Sequence, residues 1–196
     1  MYEYIKGKLT VLNPAYAVLE AGGVGYFFNI SLNTYSALQG IGLQSETELF
    51  AHNIVREDAN LLYGFTNVEE RQMFRQLITV SGIGANTARM MLSSMTTNQI
   101  ATAIIQGNFN VLKEIKGIGL KTAQRIVVEL KDKISSTPGD SQLISFASNT
   151  VQEEALSALV MLGFSKKAVE KVVTTIVQKT PSIGLEDLIK SALKQL

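Results

Sequence analysis

The chain has 196 residues, 46% of them hydrophobic, and its 18 Lys and Arg against 17 Asp and Glu give a net charge of +1. That length holds one to three small domains. The lack of cysteine excludes disulfides, iron–sulfur clusters and thiolate zinc sites, and a single histidine argues against a His-based metal enzyme, although carboxylate-bound magnesium stays open. The charged start Tyr2-Glu3-Tyr4-Ile5-Lys6 does not read as a secretory leader and no stretch nears the roughly 18 apolar residues of a membrane span, so a soluble, cytoplasmic protein is expected.

In chain order, residues 1–65 read as five strands, Tyr2 to Leu12, Ala15 to Ala21, Val24 to Ser31, Glu46 to Asn53 and Ala59 to Phe65. They are broken by the turn signals Asn13-Pro14 and Gly22-Gly23, with a short helix over Asn33 to Leu38. Five short strands in this length predict a small closed barrel of the OB-fold type, with a sandwich fragment as the alternative. From Val68 the apolar period lengthens to 3.6: Glu69 and Glu70 suit a first helical turn, and Met73, Phe74, Leu77 and Ile78 form a stripe. Thr96 or Thr97 caps a helix ended by Gly107-Asn108, another begins near Asn110, and a long helix runs from Leu120 to Ile134. Ser135-Ser136-Thr137-Pro138-Gly139-Asp140 opens a polar stretch to Thr150 that reads as a flexible linker. Thr150 with Glu153 fits a capping box for a further helix over Ala155 to Leu162, Ser165 starts another, and Gly184 or Leu185 a third.

The chain is therefore a multidomain α+β protein: a barrel over residues 1–66, a helical domain over 67–134, a linker over 135–150 and a three-helix module over 151–196. Charge follows this division. Residues 1–66 carry three Lys and Arg against six Asp and Glu, residues 67–135 nine against five, and residues 136–196 six of each. A phosphate-binding surface is expected in the middle segment.

The strongest signal is an internal repeat. Leu77-Ile78-Thr79-Val80-Ser81-Gly82-Ile83-Gly84-Ala85-Asn86-Thr87-Ala88 aligns with Leu112-Lys113-Glu114-Ile115-Lys116-Gly117-Ile118-Gly119-Leu120-Lys121-Thr122-Ala123 at a spacing of 35. Each copy reads as helix, Gly-Ile-Gly hairpin, helix. The glycines permit positive φ and a close approach of backbone to phosphate, the Ile pins the turn, and the second helix aims free N–H groups and its positive dipole end at the anion. Such contacts carry no base identity, so DNA binding through Gly82, Ile83, Gly84, Asn86 and Thr87 and through Gly117, Ile118, Gly119, Lys121 and Thr122 is expected to be sequence-independent and salt-sensitive.

Paired Gly-Ile-Gly hairpins between a small barrel and a linker with a short helical module resemble the RuvA family of bacterial Holliday-junction-binding proteins. Gly22-Gly23-Val24-Gly25-Tyr26, Val55-Arg56-Glu57-Asp58-Ala59 with Leu62-Tyr63-Gly64-Phe65, and Ala158-Leu159-Val160-Met161-Leu162-Gly163-Phe164 extend the resemblance over nearly the whole chain. It implies a non-catalytic, cofactor-free homotetramer, one or two per junction, that holds four-way DNA open for recombination and repair. It also implies two protein partners, the RuvB hexameric ATPase and the RuvC resolvase. By the same resemblance the hairpins grip the duplex arms, Glu57 and Asp58 form an acidic pin at the crossover, and Leu159, Leu162 and Phe164 contact the motor. The family often has Lys after the first Gly-x-Gly and two adjacent Lys after the second, where this chain has Ala85-Asn86-Thr87 and Leu120-Lys121. Lys121 is then the principal cation, with Arg89, Lys116 and Arg125 as helpers.

Three other readings compete. Lys121 is similar to the catalytic lysine of helix-hairpin-helix DNA glycosylases, with Asp140 downstream, but the chain has no room for a second helical domain to hold a flipped base. Glu57 and Asp58 as a magnesium nuclease lack a third ligand. A barrel that stacks single-stranded bases on Tyr26, Phe27 and Phe28 conflicts with the barrel's negative charge, and strand alternation requires at least one of the three in the core. His52, Met90, Met91 and Met95 are expected to be packing or surface residues.

Overall fold

The computed structural model describes residues 2–135, 149–180 and 183–196. Two compact units divide the chain, one up to residue 137 and one from residue 138. The first begins with strands β1 (Tyr4–Asn13), β2 (Tyr16–Ala21), β3 (Val24–Asn29), β4 (Glu46–Val55) and β5 (Asn60–Phe65), with helix α1 (Leu32–Gln39) between β3 and β4. They close a barrel in the order β1-β2-β3-β5-β4. All pairings are antiparallel except β3 with β5, which meet in parallel at Asn29 and Tyr63. Residues of β1 alternate strictly at its start, so Ile5 and Leu9 face inward to join Leu19, Phe28, Ile30, Leu38 and Leu49 in the barrel core. Phe28 is fully buried while Phe27 points outward and stacks on Tyr16 at 4.8 Å, as strand alternation demands.

Helices α2 (Val68–Leu77), α3 (Ala85–Ser94), α4 (Thr97–Ile105), α5 (Phe109–Lys113) and α6 (Leu120–Ser135) follow. Side chains set the starts of α2 and α4: Asn67 Oδ1 accepts from the Glu70 N–H at 2.7 Å, and Thr96 with Gln99 forms a reciprocal capping box. Phe74 of α2 packs against Tyr63, Phe65 and His52, so the end of β4–β5 is continuous with the helical core.

Polar contacts lock the two halves of this unit. Glu70 is 2% exposed, and both its carboxylate oxygens accept hydrogen bonds from α1, one from the Ser31 hydroxyl and one from Thr34 Oγ1 at 2.8 Å. Arg71 donates to the Glu3 carbonyl at 2.8 Å and to the Glu3 carboxylate, and lies 5.3 Å from the centroid of the Phe50 ring. Arg71's hydrogen bond holds the Glu3 carboxyl below the usual range. Arg75 donates to His52 Nδ1 at 3.3 Å; burial, then the charges of Arg75 and Arg71, push the His52 imidazole down, which fits a packed neutral ring.

Burial raises the Glu70 carboxyl above its ordinary 4.5, against hydrogen bonds from Ser31 and Thr34 that pull it down. A carboxyl whose pKa is higher in the folded state binds its proton more tightly there, so its contribution to stability is complete below the ordinary value and is lost as pH rises through the folded one. Glu70→Gln is expected to flatten this arm of the stability profile in thermal melts from pH 4.5 upward. Glu70→Ala, which leaves both hydroxyls without their acceptor, is expected to cost about 2 kcal/mol or more at neutral pH.

The second unit consists of α7 (Asn149–Met161), α8 (Lys166–Lys179) and α9 (Leu185–Leu193). Ala155, Leu159, Val169, Val173, Ile176, Leu188 and Ala192 form its own core. Ser165 caps α8 and Gly184 precedes α9 as expected. Helix α7 starts at Asn149, so Thr150 already lies within its first turn and is not its N-cap. Most of the predicted linker, residues 136–148, lies outside the described residues; Ser135 ends α6.

Candidate nucleic-acid interface

The two repeats fold as the same object. In the first, Ile83 N–H donates to the Val80 carbonyl at 3.0 Å, Gly82 has φ +92°, and Gly84 opens α3 in extended conformation. In the second, Ile118 N–H donates to the Ile115 carbonyl at 3.0 Å and Gly117 has φ +91°. Ile83 and Ile118 are each 5% exposed, and Ala88 and Ala123 are completely buried where the helices of each motif close. The first helical backbone bonds run from Ala88 N–H to the Gly84 carbonyl and from Ala123 N–H to the Gly119 carbonyl, both 2.9 Å. No side chain caps Gly84. The first-turn amides of Ala85, Asn86 and Thr87, and of Leu120, Lys121 and Thr122, thus face the helix ends without intrahelical acceptors, the arrangement that takes an anion.

The motifs also brace each other. Arg125 Nη1 of α6 donates to the Ser81 carbonyl of the first hairpin at 3.1 Å. A Cβ built on Gly117 would lie 3.5 Å from Met90 Cε of α3. Met90 and Arg125 are equivalent under the spacing of 35, so each second helix reaches the other motif's hairpin from the same position. The pair is an approximate twofold object with adjacent hairpins.

Charge is less evenly shared than the segment total implies. Arg71 and Arg75 are spent on the barrel, and Arg89 Nη1 donates to the Ala15 carbonyl at 3.1 Å and to Asn29 Oδ1 at 3.3 Å. Arg89 and Arg125, expected as phosphate helpers, therefore both serve internal contacts here. Lys113, Lys116 and Lys121 are exposed and all belong to the second motif. The first motif presents Ser81 and Asn86 in exposed positions and Thr87 half-buried, with no cation in its hairpin.

Glu57 and Asp58 occupy the turn between β4 and β5, closed by Arg56 N–H donating to the Ala59 carbonyl at 2.7 Å. Both are exposed, and neither forms an ion pair among the described residues. Among the described residues no group of three or more His, Cys, Asp or Glu could hold a metal. No described helix is long and apolar enough to cross a membrane.

In the second unit one expected contact residue is corrected. Leu159 is fully buried because it shares its helical face with Ala155, four residues earlier, and both pack on α8 and α9. Phe164 is half-buried against the same core. Leu162 is 62% exposed, and Met161 beside it, which was not among the expected contact residues, is 85% exposed.

A closed five-stranded barrel fused to a braced pair of helix-hairpin-helix motifs, followed by a separate helical module, defines a multidomain protein of the tandem helix-hairpin-helix class. Comparison with known proteins agrees part by part: residues 1–64 match the RuvA N terminal domain, 74–132 the SAM-like helix-hairpin-helix tandem, and 150–196 the RuvA C-terminal domain. The protein named Holliday junction branch migration complex subunit RuvA is 49% identical over 204 residues in Bacteroides thetaiotaomicron. Proteins of the same name are 46% identical over 205 residues in Porphyromonas gingivalis and 46% over 196 in Flavobacterium psychrophilum, the match covering the whole of both chains in every case. The chain belongs to the RuvA family. The glycosylase reading of Lys121 has no support in these matches and is withdrawn.

Proposed function

We propose that this chain binds four-way DNA junctions through the backbones of their arms, without reading sequence, as the non-catalytic subunit of a branch-migration complex in the bacterial cytoplasm. The observation that carries this reading is the pair of hairpins in register, each with a positive-φ glycine and an uncapped helix start. Two such anion sites held side by side act on one duplex backbone at high effective concentration. In this reading residues 1–66 bring the Glu57-Asp58 pin to the crossover, 67–134 grip the arms, 135–150 link, and 151–196 meet the RuvB motor. The working form is a homotetramer, one or two per junction, on which RuvC resolvase also acts.

Gly82, Ile83, Gly84, Asn86 and Thr87 form one phosphate contact, and Gly117, Ile118, Gly119, Lys121 and Thr122 the other. Lys121→Ala is expected to weaken junction and duplex alike and to lower the magnitude of the log–log salt slope by about 0.9, one phosphate's worth of released counterion. An unchanged slope in titrations from low to moderate salt would remove Lys121 from the contact.

The exposed pair Met161 and Leu162, with Phe164 at its edge, supports an apolar docking surface for the motor. Met161→Ala with Leu162→Ala is expected to leave junction binding intact and reduce motor-driven branch migration about tenfold or more, the scale of a lost apolar anchor. Leu159→Ala instead is expected to melt the module at lower temperature, which circular dichroism separates from lost docking.

A further inference from the structure

We infer that Arg125 is a positioning residue, a strut that fixes the first hairpin relative to the second, and is not itself a phosphate ligand. The inference rests on the DNA-binding reading above. Three features of the hairpin contact converge on it. Arg125 Nη1 donates to the Ser81 carbonyl at 3.1 Å, so the guanidinium on the second motif's helix ends on the first motif's hairpin. The carbonyl it holds belongs to the peptide joining Ser81 to Gly82, the residue whose φ of +92° sets the hairpin's turn. The same guanidinium has Nε 3.8 Å from Glu129 Oε1 one turn along α6, so its charge already has a partner and is less available to an anion outside.

The repeat supplies the decisive comparison. At the equivalent position of the first motif stands Met90, and it too reaches the opposite hairpin, its Cε lying 3.5 Å from where a Cβ on Gly117 would sit. What the two copies share at this position is reach to the neighbouring hairpin; the positive charge is present in only one. A phosphate ligand would need the charge, whereas a spacer needs only the reach. Arg125 adds a directed hydrogen bond to that reach, which sets the separation at which the two rows of free amides meet successive phosphates. The first hairpin carries no cation, so its share of the grip depends on backbone placement and is the part most exposed to loss of the strut.

The test is a double-mutant cycle on the full-length protein with four-way junction DNA, titrated at several salt concentrations in the presence of chelator. Arg125→Met keeps an apolar stem of the kind Met90 provides and removes the donors. Gly84→Ala and Gly119→Ala each add a methyl at a helix start where a Cβ meets no protein atom and φ is ordinary, so each obstructs one phosphate contact with the fold intact. The strut predicts that Arg125→Met weakens binding about fivefold with a salt slope changed by far less than the roughly 0.9 of a lost phosphate ligand. It further predicts that its loss and that of Gly84→Ala combine to much less than their product, whereas its loss and that of Gly119→Ala multiply. A slope reduced by about 0.9 with the two couplings reversed, or binding by Arg125→Met equal to the parent's, overturns the strut. Failure of the parent itself to bind the junction overturns the DNA-binding reading instead, and the two failures are told apart in the same titration.

Discussion

Gly117→Val is expected to lower junction affinity by about two orders of magnitude, close to 3 kcal/mol, in a protein that still folds. The reason is conformational. A Cβ at this position has room, its nearest neighbour being the end of the Met90 side chain at 3.5 Å, but φ of +91° is a region that a β-branched residue enters only under strain. The hairpin relieves that strain by turning the Gly117–Ile118 peptide, which moves the amides at the start of α6 away from the line on which they meet a phosphate. Gly117 itself is exposed and a Cβ there meets nothing closer than the end of a flexible side chain, so the cost to stability is about 1–2 kcal/mol and the melting transition survives. Gly82→Val, with φ of +92° and open space around its Cβ, is expected to behave the same way. Circular dichroism on both variants separates lost binding from lost fold; full affinity in a folded Gly117→Val protein would show that the hairpin does not touch DNA.

The second large effect belongs to Glu57 and Asp58 and has the opposite sign. Two exposed carboxylates at a hairpin tip oppose binding to any phosphate-rich surface, and a tetramer would gather eight of them where the four strands exchange. Continuous duplex, whose backbone must cross those tips, is penalised more than a junction whose arms diverge around them. Glu57→Gln with Asp58→Asn is therefore expected to raise affinity for linear duplex about tenfold at low salt, reduce the preference for junctions by a similar factor, and alter the branch-migration rate without abolishing it. The gain should shrink as added salt shortens the screening length to about 8 Å near physiological ionic strength. Duplex affinity no higher than the parent's at low salt would make the turn an ordinary solvated loop.

Local chemistry made much of this molecule readable in the sequence. Strand alternation around Phe27 and Phe28, the threonine cap before α4 and the 35-residue repeat each depend on neighbours within a turn or a hairpin, and the structure has them where the pattern indicated, with Thr96 as the cap. What stayed hidden depends on tertiary distance. Glu70 reads as one more acidic residue at a helix start, yet it is the buried link to α1, because its partners Ser31 and Thr34 lie more than thirty residues away. Arg71, Arg75, Arg89 and Arg125 made the middle segment look like a broad basic face. Four backbone carbonyls, an amide oxygen, two carboxylates and an imidazole engage them, and the exposed positive charge near the hairpins is that of Lys113, Lys116 and Lys121 in the second motif. Leu159 was separable from Met161 and Leu162 in principle, since its spacing of four from Ala155 marks the buried face of α7.

The most direct test of the account is binding of the intact chain to a four-way junction, a linear duplex and a single strand of matched length and shuffled sequence, titrated in chelator across salt. Tight, metal-independent, sequence-independent binding of the junction is expected, with weaker binding of duplex, weakest of single strand, and a steep salt slope for the junction. Equal affinity for junction and duplex, or a preference for the single strand, would contradict it.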